Sequence, residues 1–337
     1  MRLARRALAP LFLLAACASA FAGCGPAKGS HADDGDGPPI TLDEMSATVN
    51  ADAEKARTAH AIKTVFVIVM ENHDWSSIAG NPSAPYINNT LLTYGAHAEH
   101  YTSPEGIHPS EPNYIWLEAG DDLNIADDDE PAENYRTTKT HLTTQMEKAN
   151  VSWRSYQEGM APGLCPLSSS GRYAAKHNPF VFFDDVTGGR DLKSSRCIEH
   201  IREYGELAGA LESGPVAQYN FITPDMCNDM HDSAGCASPD SVANGDAWLS
   251  REIPKILASE AYKAGGAIFI VWDESEGGNA PIGLIALSPF AKPGYAGTIP
   301  YTHSSLLRTV QDVFALRPFM RDAANATSLE DLFVSYP

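Results

Sequence analysis

The stretch TVFVIVM, Thr64–Met70, decides the fold, because it is an apolar, β-branched run that ends abruptly in the polar residues ENHD. Such a run predicts a buried strand of a parallel sheet that is covered on both faces. Three further segments have the same character: AQYNFIT (217–223), AIFIVW (267–272) and GLIALSP (283–289). Helical patterns separate the strands, at residues 85–94, 113–119, 141–149, 242–258 and 304–314. The alternation predicts an α/β fold with a mostly parallel central sheet between helical layers.

The first 24 residues have the composition of a bacterial export signal: a basic start, MRLARR, and an apolar run too short to cross a bilayer. LAAC, ending at Cys17, resembles a lipobox, and FAGC, ending at Cys24, is a second candidate; a plain secretory signal is the alternative. Residues 25–60 are predicted to be a flexible tether and a short helix opened by the capping box TLDE. Residues 61–337 then form one domain, exported and held by a lipid anchor in the periplasm or at the cell surface.

The charge balance limits the partners of the domain. The 337 residues include 24 Lys and Arg against 43 Asp and Glu, a net charge of −19. Nucleic-acid binders and proteins that dock on anionic membranes need basic surfaces. We therefore expect no nucleic-acid partner and contact with a membrane through the lipid anchor only, while a local anion site stays compatible with this composition.

Four cysteines follow the leader: Cys165, Cys197, Cys227 and Cys236. An even number in an exported chain predicts two disulfides, for which three pairings exist. The alternative is a zinc site at Cys227, His231 and Cys236, which no CxxC motif supports.

Polar clusters follow three of the predicted strands directly: ENHD after the first, PDMCNDMHD after residue 223, and DES after residue 272. The carboxyl ends of parallel strands meet at one edge of a sheet, where ligands bind in open α/β folds. An acid after a strand is more often a helix cap or a solvated turn. Three such clusters at one edge, all rich in oxygen ligands, predict a cation site.

Ser110 stands in GIHPSEPNYIWLEAG, between two prolines and just before a predicted helix. The free N–H groups and the dipole of a helix N-terminus favour an anion such as phosphate. A serine hydroxyl becomes a good nucleophile only when a base or a metal activates it. On the local sequence alone, an N-cap serine in a turn made rigid by proline is the simpler interpretation.

A combination of motifs changes that interpretation. The pieces are VIVMENHDW, APYINN, HPSEPNY, RYAAKHNPF, NDMHD with NGDAWL, and VWDESEGG, in this order over about residues 65–278. Together they resemble the phosphoesterase family of bacterial acid phosphatases and phospholipases C, within the alkaline phosphatase superfamily. The likeness is greatest to the short secreted acid phosphatases, which include phosphatidylinositol 3-phosphate phosphatases.

The resemblance implies roles for individual residues. Ser110 corresponds to the nucleophile, in an S-x-P-N setting similar to T-x-P-N of nucleotide pyrophosphatases. The implied metal ligands are Glu71, Asn72, Ser110, Asp273 and Glu274, with Asp225 and Asp229 where two-metal relatives place ligands. The implied phosphate contacts are Lys176, His177, His231 and Asn113, and the implied supporting or proton-transfer groups are His108, His303 and His231. Glu274 departs from members with a second Asp, and Lys176 stands where some have a second His. Surface or core positions are expected for His73, His97, His100, His141 and His200.

The implied activity is that of a metal-dependent phosphomonoesterase of acid phosphatase type, with a phosphoserine intermediate on Ser110. The substrates would be small phosphate esters or phosphoinositide headgroups, and the metal Ca, Mg, Mn, Zn or Fe, one ion or two. A phospholipase C or phosphodiesterase on the same scaffold is the alternative, although we expect no extra C-terminal domains like those of the large phospholipases. A sulfatase is excluded, because Tyr114 replaces the arginine of its core motif. The non-enzymatic alternative is a surface lipoprotein that acts as a binding module.

We further hypothesise that Cys227 pairs with Cys236 and Cys165 with Cys197. The first bridge would enclose NDMHDSAG and so hold Asp229 and His231 in place.

Overall fold

The computed structural model describes residues 62–336. The leader with Cys17 and Cys24, the tether and the helix predicted after TLDE lie outside the described residues. Within residues 62–336, no helix has the length and apolar character needed to span a membrane.

An eight-stranded sheet forms the centre of the domain, in the order β5-β4-β6-β1-β7-β8-β2-β9, and β3 pairs with β10 in a small second sheet. The strands are β1 Thr64–Met70, β2 Ala96–Ala98, β3 Tyr101–Thr102, β4 Trp153–Gln157, β5 Ile201–Glu203, β6 Tyr219–Thr223, β7 Gly266–Trp272, β8 Leu284–Leu287, β9 Tyr295–Gly297 and β10 Tyr301–Thr302. The α-helices are α1 Trp75–Ile78, α2 Leu92–Tyr94, α3 Ser110–Ala119, α4 Pro131–Asn134, α5 Leu142–Lys148, α6 Asp184–Thr187, α7 Ser195–His200, α8 Glu206–Ser213, α9 Ser241–Ala258, α10 Glu260–Lys263 and α11 His303–Val313. A π-helical turn covers Ile87–Leu91, and 3-10 turns cover Ala175–His177, Pro179–Phe182, Arg321–Ala324 and Leu329–Leu332.

The central strand β1 has parallel neighbours on both sides, β6 and β7, and every one of its residues is buried. Helices and turns therefore cover both faces of the sheet here, as the unbroken apolar run predicts. Each fully buried Val, Ile or Phe in such a strand stabilises the fold by roughly 1.5–3 kcal/mol. The predicted α/β class with a mostly parallel sheet is confirmed; β8, however, runs antiparallel to both β7 and β2.

The helix that carries Ser110 begins earlier than residue 113, the predicted start. Ser110 is the first residue of α3, the N-cap is Pro109, and no side chain caps this end. The N-cap interpretation of Ser110 is therefore wrong, and its hydroxyl is free for other contacts. The helix ends at Gly120, whose φ of 69° is left-handed, and a Cβ there would lie 2.8 Å from the Met320 carbonyl oxygen. Glycine is required at this position for both reasons.

The motif NGDAWL in α9 packs against the loop that contains NDMHD. Gly245 has no Cβ, and one built there would lie 2.3 Å from Cγ of Met230, a residue with a left-handed φ of 82°. Asp246 accepts hydrogen bonds from the N–H groups of Tyr86 and Ile87 at 3.0 and 2.8 Å. The motif thus fixes both the loop after β6 and the start of the π-helical turn.

Candidate active site

Backbone hydrogen bonds bring the acidic strand ends together. The Asp273 N–H donates to the last carbonyl of β1 at 2.9 Å, and the Glu71 N–H donates to the Asp229 carbonyl at 2.8 Å. The Asn72 N–H donates to Asp273 Oδ1 at 3.0 Å. Asn72 has a left-handed φ of 47°, which asparagine tolerates better than most other residues. The clusters ENHD, NDMHD and DES therefore meet at one edge of the sheet.

Ser110 faces this edge from the start of α3. Its side chain is 1% exposed, and Oγ donates to Glu71 Oε2 at 3.0 Å. The other oxygen of Glu71 accepts a 2.6 Å hydrogen bond from the hydroxyl of Tyr114, one turn further along α3. One helix therefore supplies both the hydroxyl and a group that orients its carboxylate partner. Sequence reasoning gave Tyr114 no such role; its i+4 spacing from Ser110 was the available signal.

His177 lies deeper in the cluster than its predicted role as a phosphate contact requires. Its Nε2 is 3.1 Å from Glu71 Oε1, and its Nδ1 is 3.4 Å from Asp229 Oδ2. The ring stacks on Tyr114 with centroids 5.1 Å apart. Ligand atoms of Glu71, His177 and Asp229 all lie within 4.8 Å of one another, so these three residues could hold a metal ion. His231 is the more accessible histidine, with its ring 5.8 Å from that of His177 and its side chain 25% exposed.

The cluster concentrates negative charge where water does not reach. Burial, followed by the charges of Asp273 and Asp229, raises the pKa of Glu71 well above its usual value. Burial also raises the pKa of Asp229 and of Asp273. Burial, with the nearby charges of Lys176 and His231, lowers the pKa of His177 well below its usual value. Neutral imidazole is the form that ligates metals.

These residues fit a divalent cation. Three buried atoms in the cluster have no hydrogen-bond partner: His177 Nε2, Asp229 Oδ2 and Asp273 Oδ2. The Asn72 amide oxygen also faces only acceptors; rotated by 180°, the amide nitrogen would donate to Asp273, Glu71 and Glu274 at 3.2–3.3 Å. Inward oxygens that repel one another are stabilised by a cation among them, and oxygen and nitrogen donors are common divalent-metal ligands.

Glu274 connects the sheet edge to the loop before α3. Its Oε2 lies 2.6 Å from His108 Nδ1 and accepts from Asn113 Nδ2 at 3.2 Å. His108 Nε2 donates to the Gly278 carbonyl at 2.8 Å. Burial and the neighbouring Asp273 raise the pKa of Glu274 to about 7. Asn113 also donates to two loop carbonyls, so it holds the Ser110 loop more directly than it faces a substrate.

His303 does not reach the cluster with its side chain. It is fully buried, its Nε2 donates to the Asp273 backbone carbonyl at 2.6 Å, and its Nδ1 lies 3.0 Å from the Tyr101 hydroxyl. Burial lowers its pKa to about 4, so the ring is neutral. These contacts fix the position of Asp273 and give His303 no route to a proton on a substrate.

Asp225 and Lys176 each have polar partners within the protein. Asp225 Oδ1 accepts from the N–H groups of Cys227 and Asn228 at 3.0 and 3.1 Å, so this carboxylate closes its own turn. Lys176 donates to Asp128 Oδ2 at 2.8 Å, and the other Asp128 oxygen accepts from the Glu111 N–H at 3.0 Å. Lys176 is thereby held beside the start of α3, through an aspartate that sequence reasoning missed.

Both hypothesised disulfides are present, Cys165–Cys197 and Cys227–Cys236. The alternative of a zinc site at Cys227, His231 and Cys236 is therefore wrong. The shorter bridge encloses the loop that carries Asp229 and His231.

The fold is similar to that of solved proteins with low sequence identity to this chain. A protein of that superfamily from Vibrio parahaemolyticus superimposes with a TM-score of 0.55 at 11% identity, over 87% of this chain and 81% of that one. The phosphonate monoester hydrolase of Silicibacter pomeroyi gives 0.51 at 13% identity, over 82% and 77%. At such low identity, these likenesses concern the fold.

Residues 93–317 match the model of the Phosphoesterase family, and the chain belongs to that family. The phosphatidylinositol-3-phosphatase of Mycobacterium tuberculosis is 28% identical over 86% of this chain and 90% of its own length. The probable acid phosphatase of Kluyveromyces lactis is 26% identical over 85% of this chain and 66% of its own, slightly under two thirds. The chain is thus a hydrolase that acts on phosphate esters.

Proposed function

We propose that the chain is a metal-dependent phosphomonoesterase of acid phosphatase type with Ser110 as its nucleophile. The observation that carries the proposal is the position of Ser110 Oγ, which lies at the N-terminus of α3 and 3.0 Å from Glu71 in a cluster of buried acids. The Ser110 N–H and the dipole of that helix end would bind the substrate phosphate. A divalent cation held by Glu71, Asn72, Asp229, Asp273 and His177 would supply Lewis-acid stabilisation of the charge on the phosphate oxygens.

The chain's own residues perform the transfer. Ser110 Oγ attacks phosphorus, the bond from phosphorus to the leaving oxygen breaks, and the Ser110 proton passes toward Glu71 Oε2, the acceptor already in place. His231, the accessible histidine, donates a proton to the leaving alkoxide. Water then attacks the phosphoserine and releases inorganic phosphate and free Ser110. Lys176, held by Asp128, neutralises charge on the bound phosphate.

The test measures hydrolysis of an aryl phosphate by the mature chain, with and without a chelator. Ser110→Ala is expected to lower kcat by at least about 10³-fold while metal content persists. Ser288→Ala is the matched control, because this buried serine bonds a carbonyl at the far end of β7. Turnover of Ser110→Ala at the control's rate would rule out the nucleophile assignment. Full activity after complete removal of metal would rule out metal dependence.

Monoesters are the proposed substrates, including phosphoinositide monophosphate headgroups, which the name of the mycobacterial relative also indicates. A dianionic terminal phosphate suits a site with a cation, Lys176 and His231 better than a monoanionic diester does. The test compares kcat/KM for an aryl phosphate, a bis-aryl phosphate, phosphatidylcholine and a phosphatidylinositol monophosphate. A preference for the bis-aryl ester or phosphatidylcholine would favour the phospholipase C alternative.

We also propose that the mature protein is exported and lipid-anchored through Cys17 or Cys24, with one catalytic domain over residues 61–337. Two disulfides support export, because such bonds persist in oxidising compartments. Metabolic labelling with a radioactive fatty acid tests the anchor, which Cys17→Ser or Cys24→Ser should abolish. Labelling that survives both changes would contradict it.

A further inference from the structure

A small cavity lies near the C-terminal end of α3, the end opposite Ser110. Its volume is about 230 Å³, and its lining includes four cationic side chains, Lys139, Lys148, Arg317 and Arg321, and no carboxylate. Since a helix rises 1.5 Å per residue, the ten residues of α3 separate this cavity from Ser110 by roughly 14 Å. The cavity is therefore distinct from the candidate active site.

The positive charge at this cavity is only partly neutralised by the protein. Lys139 and Lys148 are exposed and form no ion pair within residues 62–336. Nη1 of Arg321 donates to the carbonyls of Ala119 and Thr140, at 2.7 and 2.8 Å. The Arg321 side chain forms no ion pair with a carboxylate among the described residues. Arg317 is the exception, because its Nη2 donates to Asp312 at 2.7 Å.

The acidic groups near the cavity are engaged elsewhere. Behind its wall, the carboxylates of Glu118 and Asp185 are bound by His141, which itself forms part of the lining. Burial lowers the pKa of Arg321, and the nearby charge of Asp121 partly offsets this effect, although the two side chains form no ion pair. In a chain of net charge −19, three unpaired cations around one cavity form a local exception to the acidic surface.

We infer that this cavity is a second anion site, which binds a phosphate group either free or carried on a lipid headgroup. Lysine ammonium groups and an arginine fork are the donors that phosphate oxygens bind best in proteins. The cavity, at about 230 Å³, has room for a small anion. The inference does not depend on the proposed catalytic mechanism.

The first experiment titrates the full mature chain with inorganic phosphate in a calorimeter at low ionic strength. Lys139→Gln/Lys148→Gln should lose one equivalent of phosphate, or weaken it at least tenfold, with kcat unchanged. The matched control is Lys63→Gln/Lys193→Gln, which removes the same charge from two exposed lysines that also lack described ion pairs. The control should bind like the wild type.

The second experiment separates the two sources of phosphate. It measures sedimentation with phosphatidylcholine vesicles, with and without phosphatidylinositol monophosphate, using chains that carry Cys17→Ser and Cys24→Ser so that no anchor interferes. Loss of vesicle binding only in the Lys139/Lys148 double variant indicates a headgroup site; loss of phosphate binding alone indicates a free-anion site. If that variant matches the control in both experiments, or the control loses as much, the anion site is refuted.

Discussion

Two buried histidines each lie between two carboxylates, and the two clusters differ in their charge balance. His141 is 2.8 Å from Glu118 and 3.0 Å from Asp185, beyond the C-terminal end of α3. His177 is 3.1 Å from Glu71 and 3.4 Å from Asp229, beside the N-terminal end. The residue types and their burial are the same, so any difference in role must come from the surroundings.

Around His141 the charges are balanced. Burial opposes the charged ring, yet its hydrogen bonds with Asp185 and Glu118 outweigh burial and raise its pKa. Arg196 also pairs with Asp185, at 3.0 Å. Burial raises the pKa of Asp185, but its contacts with His141 and Arg196 outweigh burial and lower that pKa. The Thr143 hydroxyl and N–H both donate to Glu118. Two acids therefore lie against Arg196 and a histidine whose protonated form they favour, and these contacts make the cluster structural.

Around His177 the acidic groups outweigh the nearby cations. Three acids, Glu71, Asp229 and Asp273, all have raised pKa values, and the pKa of His177 is lowered. Buried ionisable groups with unpartnered atoms destabilise a fold unless a ligand neutralises them. Charge balance, more than residue type, therefore separates a structural cluster from a functional one.

The strongest test of this contrast removes one charge from the unbalanced cluster. Asp273→Asn should lose bound metal and lower kcat by about 10³-fold or more, because it deletes a ligand and alters the site of charge stabilisation. In the presence of chelator, its free energy of unfolding should equal or exceed that of the wild type, since repulsion among the acids falls. Elemental analysis, hydrolysis assays and urea denaturation provide these measurements. Unchanged metal in this variant and in Glu71→Gln would contradict the ligand set.

The balanced cluster should respond in the opposite way. His141→Gln leaves Glu118 and Asp185 with one cation between them and should lower the free energy of unfolding by about 3 kcal/mol. kcat per folded molecule should stay near the wild-type value, because His141 touches no residue of the active site. His200→Gln is the control, since that histidine is partly exposed and stacks on Trp153. Equal stability losses in the two variants would mean that the buried ion pairs add nothing.

The sequence predicts the central strands and the acidic residues that follow them. The apolar runs of β1, β6, β7 and β8 stand out because their residues are buried on both faces, and the acids that follow three of them meet wherever parallel strands end. The strand β4, WRSYQ, is not predicted, because it contains polar residues and only tertiary packing buries them. The antiparallel direction of β8 is also not predicted, because an apolar run does not specify the direction of a strand.

The site is less predictable where contacts come from loops. Asp225 resembles a ligand in sequence, but its Oδ1 accepts hydrogen bonds from backbone N–H groups of the turn that leads into the Cys227 disulfide. His177 follows no strand, so nothing local places it against Glu71. His141, expected at a surface or core position, is buried, and its two acidic partners lie 23 and 44 residues away, so the sequence could not identify them.

A smaller effect should arise at Tyr114, which orients a ligand without touching the substrate. Tyr114→Phe removes the 2.6 Å hydrogen bond to Glu71 while keeping the ring that stacks on His177. Loss of such a supporting contact typically lowers metal affinity about 10–100-fold. Metal titration of activity should show weaker metal binding, with kcat largely restored at saturating metal. Tyr101→Phe is not a matched control, because it contacts His303; Tyr86→Phe, outside the cluster, is the better one.

The smallest effect, the pH dependence of stability, tests whether His141 is charged. Its folded-state pKa is raised above the unfolded value of about 6.5, so its contribution is fully present below that value and is lost as pH rises through the folded pKa. The facing groups are Glu118 from α3, Asp185 from α6 and, through Asp185, Arg196 from α7. The free energy of unfolding of the wild type should therefore exceed that of His141→Gln by the largest amount at about pH 5 and by the smallest at about pH 9. This difference should change by at most about 1.4 kcal/mol per pH unit. Urea denaturation of both proteins in chelator measures this difference. A difference that stays constant or grows with pH would mean that His141 is neutral, and then the two histidine clusters would no longer differ in the charge of their rings.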